Sequence, residues 1–374
     1  MPSKEQYQIA ASMIPGIGPV SARNLIAAFG DIDAVFKMKA SQLERTVGIG
    51  KYFASTILTY RKAALERAGM ELRFMEANDV NFVFLTDKAY PKKLFECADA
   101  PLILYYTGDL TIVNEKTLAV VGTRKATSRG RDITHSIIKS LPEAGIKPAI
   151  VSGLAYGIDV TAHKEALENE LPTVAVFGHG FDTVYPVAHT KIAEKIVKAG
   201  GALISEFHST SKRDPKNFVR RNRIIAGLSD ATIVVESASK GGAMVTADIA
   251  NSYNRDVFAI PGRINDTYSQ GCNHLIKTHR AMLMESADDL LYIMNWKSDH
   301  KKIPARQKQI EFNVQMTDNE KIIVDLLSEK EYCDTDLLTK LSGLNIADLS
   351  IALLNLEIKS IIKALPGKIY ALNA

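Results

Sequence analysis

Between residues 218 and 236 the chain reads FVRRNRIIAGLSDATIVVE, with Arg220, Arg221 and Arg223 directly before an apolar helical turn and a strand. Guanidinium groups at this density suit a phosphate-bearing anion, because each offers paired N–H donors to phosphate oxygens. The wider stretch TSKRDPKNFVRRNRIIAG carries Lys212, Arg213, Lys216, Arg220, Arg221 and Arg223 against Asp214 alone. A small nucleotide needs about two or three such groups, so this run points to a polyanion. Phe181, Phe207 and Phe218 could offer rings to unstacked bases, each stack being worth about 1–3 kcal/mol. The competing reading is a solvated basic loop with Phe218 in the core and Arg221 or Arg223 paired with Asp230 or Glu236.

A second constellation is a set of loops that each follow a short apolar run: GTRKATSRG (122–130), SGLAYGID (152–159), GHGFD (178–182), SEFHS (205–209), ESASKGGAMVTA (236–247) and PGRIN (261–265). Glycine lets backbone N–H groups approach an anion, and Ser or Thr adds small donors at a helix start. A single glycine after a strand is ordinary turn chemistry. Glycine in all but one of these loops, joined by Arg124, Arg129, Arg131 and Arg263, predicts a phosphate-binding rim. Gly241 and Gly242 belong to it. Asp159 and His163 lie four apart at a predicted helix start and share a face, which suits an acid/base pair or two metal ligands. No third ligand or nucleophile accompanies them, and Asp at a helix start is ordinary capping. His179 and His189 read as structural.

The elements that must position these groups follow from periodicity. LAVVG, AIVSG, TVAVFG, ALISE, TIVVE and DVFAIPG are apolar on both faces and alternate with helical stretches, the pattern of a parallel sheet covered on both sides. NFVFL and LILYY precede them and extend one side. The expectation is therefore an extended Rossmann-like, mostly parallel α/β core over residues 79–295, with ligands outside the carboxyl ends of its strands. Residues 1–78 show helical spacing broken by the turns PGIGP and VGIG, a layout of paired helix-hairpin-helix modules in a SAM-like domain. Residues 296–316 lose periodicity and read as a linker. Residues 317–374 read as three helices and a hairpin turning at Pro366–Gly367, a winged helix. That last segment holds six lysines and no arginine against nine acids, which favours a protein partner over a DNA groove.

Several classes are disfavoured. No GxGxxG follows any strand, and no GxxxxGK[ST], GxSxG or HExxH occurs. Cys97, Cys272 and Cys333 are odd in number and far apart, which fits a reducing compartment. With no signal-like start and no long apolar run, the chain reads as cytoplasmic, without membrane contact, metal or cofactor. Net charge is only +4, so local clustering carries the electrostatic argument.

YPKKLFECADAPLILYYTGD, VVGTRKATSRG, SGLAYGIDVTAH, FGHGFDTVYP, RNRIIAGLSDATIVVE, GGAMVTADIA and FAIPG followed by GCNHLI resemble, in order and spacing, the motifs of the DNA-processing protein A (DprA/Smf) family over about residues 80–285. The resemblance implies a non-enzymatic mediator that binds single-stranded DNA as a homodimer through its Rossmann-like core. It also implies protection of that DNA and loading of the RecA recombinase during natural transformation. The family's DNA pocket maps onto Gly122, Thr123 and Arg124, onto Ser152, Gly153 and Gly157, and onto Arg221, Asn222 and Arg223; the rim reading adds Phe181, Arg220, Gly241 and Gly242. Before RNR this chain has Phe218, Val219 and Arg220 where the family usually has Phe-Pro and a variable residue. A different class, a phosphoribohydrolase-like enzyme, shares a Gly-Gly-Thr type of loop, but residues 243–250 hold only Asp248 where its glutamate is expected.

Overall fold

A computed structural model describes residues 2–45, 50–296, 316–330, 332–359, 361–365 and 367–373. Val47 to Ile49 of the second predicted turn, positions 297–315 of the predicted linker and Pro366 of the predicted hairpin turn lie outside the described residues. By internal packing the chain forms two units, residues 1–300 and 301–374.

The first unit begins with helices α1 (Lys4–Met13), α2 (Pro19–Phe29), α3 (Ile32–Lys37), α4 (Ala40–Glu44) and α5 (Lys51–Ala77). The caps follow from sequence: the Ser3 hydroxyl accepts Gln6 N–H, and the Asp31 carboxylate accepts Ile32 N–H. In the PGIGP turn, Gly16 sits at φ +84 and Pro19 opens α2, so the chain reverses without strain. Small residues let α1 and α5 approach closely, with Ala10, Ala11, Ala64 and Ala68 all buried.

The sheet contains β1 (Asn81–Phe84), β2 (Ile103–Gly108), β3 (Thr117–Val121), β4 (Ala149–Ser152), β5 (Thr173–Phe177), β6 (Ala202–Ser205), β7 (Ala231–Val234), β8 (Asp256–Ala259) and β9 (Met282–Leu283). Their order is 1-2-6-5-4-3-7-8-9, with β3 to β9 parallel and β1 and β2 antiparallel beyond β6. Alternation divides the core: Ala119 and Val121 face one side with Ile224, Ile225 and Ala247, whereas Leu118 and Val120 face the other with Ile137 and Leu141. The connecting helices are α6 (Lys92–Phe95), α7 (Ser128–Glu143), α8 (Ile158–Glu168), α9 (Thr190–Lys198), α10 (Pro215–Leu228), α11 (Gly242–Ser252), α12 (Gln270–Lys277) and α13 (Ala287–Ile293).

The expected α/β class, parallel strands and added edge strands are found; β9 is an addition too short to read from sequence. The helical segment is continuous with the sheet rather than set apart, because Ile9, Leu25 and Ile57 belong to the same buried cluster as Val83 and Leu104. Glu71 on α5 reinforces the join, accepting Ser209 N–H at 2.8 Å and its hydroxyl at 2.6 Å.

The second unit has α14 (Asp318–Glu329), β10 (Cys333–Asp334), α15 (Thr335–Ser342), α16 (Ile346–Ile358), β11 (Ile362–Leu365) and β12 (Ile369–Leu372), with strand order 10-12-11. This is a winged helix. Ile323, Leu327, Leu338, Leu349, Leu353 and Ile362 form its own core. Thr317 and Glu320 form a capping box, and Lys359 Nζ donates to both Glu320 oxygens, at 2.9 and 2.8 Å. Among the described residues no single helix is long and apolar enough to cross a membrane.

Candidate nucleic-acid interface

Strand order fixes where a ligand can enter. From β3 the chain winds one way through β4, β5 and β6, then returns to the other side of β3 at β7. Loops leaving β3 and β7 therefore diverge, and a crevice opens at the strands' carboxyl ends. A cleft of about 460 Å³ occupies this place, lined by Gly122 to Lys125, by Ser237 and Lys240 to Ala243, and by Phe218, Val219, Arg221 and Asn222 of α10.

The β3 loop is folded tightly so that its cations face outward. Gly122 is required by close approach, since a Cβ there would lie 2.4 Å from Ile158. Thr123 donates its N–H to Glu236 O at 2.7 Å, and its carbonyl accepts Ile158 N–H at 3.2 Å. A Cβ on Gly157 would meet that same carbonyl at 2.1 Å, and Gly157 has φ +79. Arg124 and Lys125 are left exposed with no ion-pair partner among the described residues. Opposite them, α11 starts at Gly242 with Gly241 as a cap that contributes no side chain. A Cβ on Gly242 would make only an ordinary contact, with Asn222 Nδ2 at 3.8 Å, and the start of α11 and exposed Lys240 line the cleft. Asn222 holds α10 to this turn, donating from Nδ2 to Gly242 O at 3.2 Å.

The arginine cluster behaves differently from the expectation of three cations facing one ligand. Arg221 is 4% exposed and lies under the cleft, donating Nη1 to Gly153 O at 2.8 Å and to Val176 O. Its guanidinium fills the space that a Cβ on Gly153 would take, at 2.4 Å. Burial pushes the Arg221 pKa down to about 10, opposed by the nearby Asp159 charge. Burial pushes Asp159 up, opposed first by Arg221 and then by hydrogen bonds from the Ala155 and Gly153 backbone. Arg223 is also buried, donating to Asp99 O and to Glu206 Oε2 at 2.5 Å. Arg220 shares that carboxylate at 2.7 Å, remains 57% exposed and lies 5.5 Å over the Phe207 ring. Burial raises the Glu206 pKa, against the pull of Arg223 and Arg220. The sequence neighbours Asp230 and Glu236 have other work. Asp230 pairs with Lys93 at 2.6 Å, and Glu236 accepts Thr127 N–H at 3.0 Å to cap α7.

Other expected residues also turn inward. The Ser152 hydroxyl is buried and donates to Val120 O at 2.7 Å, so it ties two strands instead of lining the rim. Phe181 packs on Phe177 at 5.6 Å away from the cleft, and Phe207 is buried beneath Arg220. Phe218 does line the cleft, seated on Gly178, where a Cβ would clash at 2.9 Å. Asp159 and His163 form no joint acid/base site: His163 Nδ1–H donates to Thr173 Oγ1 at 2.7 Å, and that hydroxyl donates to Ile150 O. His179 and His189 are structural, donating Nδ1–H to Gly180 O and Leu154 O, each at 2.7 Å. Arg129 reaches across the rim to Pro261 O at 2.8 Å, and Arg131 bonds Ala126 O at 2.7 Å.

Two exposed aromatics were not singled out from the sequence. Tyr185 is 45% exposed and packs on Phe218 at 5.6 Å; Tyr156 is 50% exposed and meets His189 edge-on at 4.8 Å. The signal was available in GLAYGID, where a large ring stands beside glycine in a loop that has no core position to fill.

A doubly wound, mostly parallel α/β sheet with a helical segment before it and a winged helix after it, and a cleft with exposed cations at its switch point, defines the fold class of the chain. Comparison sharpens this. Residues 81–295 match the model of DNA recombination-mediator protein A, residues 10–59 a SAM-like helix-hairpin-helix tandem, and residues 313–368 the DprA winged helix domain. Protein Smf of Synechocystis sp. is 32% identical across 98% of this chain and 98% of its own length. The X-ray structure of DprA from Streptococcus pneumoniae superposes with a TM-score of 0.64 at 31% identity, covering 77% of this chain and 97% of that one. A Helicobacter pylori DprA structure, described for its single-stranded DNA binding mode, gives a TM-score of 0.51 at 27% identity, over 58% and 96% of the two chains. The chain belongs to the DprA/Smf family of DNA recombination mediators.

Proposed function

We propose that the protein binds single-stranded DNA in the switch-point cleft, in the cytoplasm, and acts there by binding rather than bond chemistry. The observation that carries this reading is the joint exposure of Arg124, Lys125, Lys240 and the α11 N-terminus around one cleft. Tyr185 and Tyr156 supply faces for unstacked bases, which a duplex would not present. Of the residues expected to contact DNA, Gly122, Thr123, Arg124, Gly241 and Gly242 meet the strand; Gly153, Gly157, Arg221, Asn222 and Arg223 hold the loops that do. Asp159, the carboxylate at the cleft, is engaged by Arg221 and two backbone amides and so positions a loop. On the strength of family membership we extend this proposal to shielding the strand and delivering it to the RecA recombinase, with the protein paired through its sheet core.

Fluorescence anisotropy with labelled single-stranded and duplex oligonucleotides of equal length tests this. Single strands should bind tighter, with log affinity falling against log salt by about 0.7 per neutralised phosphate. Equal, salt-independent binding of both forms would refute it.

A further inference from the structure

The winged-helix unit carries an apolar surface that its own core does not use. Helix α16 buries Leu349, Ala352, Leu353 and Leu356, yet its opposite side is also aliphatic. Ala347, Ile351, Leu354 and Ile358 are exposed there, the last three by 60%, 57% and 72%. Their spacings of 4, 3 and 4 residues follow the a/d rhythm of a helix that lies lengthwise against another helix. Scattered exposed aliphatics are ordinary, whereas a continuous seam on one short helix marks a contact surface.

We propose that this seam pairs with the same seam of a second copy of the chain, α16 against α16, antiparallel about a two-fold axis. Charge argues against phosphate-bearing occupants. Residues 317–374 hold nine acids and six lysines, a net of −3, which repels nucleic acid and anionic lipid headgroups. The seam's flanks, in contrast, suit self-pairing. Asp348 and Asn355 border one edge, Ser350 and Glu357 the other. With Ile351 of each copy opposite Leu354 of the other, Asp348 faces Asn355 and Ser350 faces Glu357. Each carboxylate then meets a neutral hydrogen-bonding side chain instead of a second carboxylate. Ala347 falls opposite Ile358, so small meets large at both ends of the seam. Such a pairing is self-complementary, as a two-fold contact requires. One helix face is a small interface, so the contact is weak and concentration-dependent by itself.

The test uses the full chain. Cys97, Cys272 and Cys333 are buried, leaving a quiet background for disulfide trapping. Mild oxidation of an equal mixture of Ile351→Cys and Leu354→Cys proteins should give the mixed covalent dimer in clear excess of the statistical share that random pairing would give it. Independently, Ile351→Glu combined with Leu354→Glu should weaken one association step in sedimentation analysis by about tenfold or more. Association through the sheet core persists in that variant, so a single step is lost. Oligonucleotide binding serves as the check that the variant is folded. No excess of mixed dimer, or sedimentation unchanged by the double substitution, overturns the proposal. So does a seam-dependent attachment to neutral phosphatidylcholine vesicles without any change in self-association.

Discussion

The cleft above the sheet and the outer side of α16 are both left uncovered by a packed core, and they are made of opposite chemistry. At the cleft, Arg124, Lys125 and Lys240 stand around free amides of a helix start. Along α16, Ile351, Leu354 and Ile358 stand between carboxylates. Net charge for the whole chain, +4, hides this division. A polyanion is attracted to the first surface and repelled by the second, while an aliphatic partner gains only from the second.

That contrast can be broken most forcefully from beneath the cleft. Arg221→Ala removes the guanidinium that bonds the Gly153 and Val176 carbonyls and is the largest positive influence on buried Asp159, and should destabilise the sheet unit by about 1–3 kcal/mol in urea unfolding. Wild-type stability with weakened DNA binding would instead make Arg221 a direct ligand. A smaller effect concerns pH. Burial lowers the His163 pKa from 6.5 to about 3 in the folded chain, so the unfolded chain takes up the proton first as pH falls. Stability from this group is complete above pH 6.5 and declines toward pH 3, by about 1.4 kcal/mol per pH unit. His163→Gln should flatten that part of the curve in urea midpoints measured from pH 7 to 4.5.

At the cleft's edge, Tyr185→Ala should cost about 1–3 kcal/mol of single-strand affinity by anisotropy and leave the salt slope alone. Arg124→Ala and Lys240→Ala should do the reverse, each making the slope shallower by about 0.7 while shifting the thermal midpoint little. The smallest expected effect sharpens the contrast most: Ile351→Glu with Leu354→Glu should leave oligonucleotide affinity within about twofold, because α16 supplies none of the residues that line the cleft. A larger change would mean that the two surfaces act together.

Much of the fold was legible in short apolar runs, because a strand buried on both faces has few other ways to satisfy its sequence. The glycine loops were legible too, as at Gly122 and Gly157, where neighbouring atoms leave no room for a Cβ. Less legible was the fate of each arginine. Arg220, Arg221 and Arg223 look alike in a list, yet helical geometry turns them in different directions, one toward solvent and two toward buried acceptors. The winged helix's acidity was plain from composition, but which of the many aliphatic residues of α16 face outward depends on the core that α14 and α15 build against it.

Sequence by itself determined the class of the molecule: parallel strands, a glycine-rich rim, local excesses of charge and the motif order of a family. Those properties live in runs of neighbouring residues. Tertiary structure alone decided which cations remain for a ligand, since acceptors such as the Gly153 and Val176 carbonyls for Arg221 and Glu206 for Arg223 are supplied by distant elements. A guanidinium's availability depends on the acceptors within about 3 Å of it, and chain order does not specify those distances.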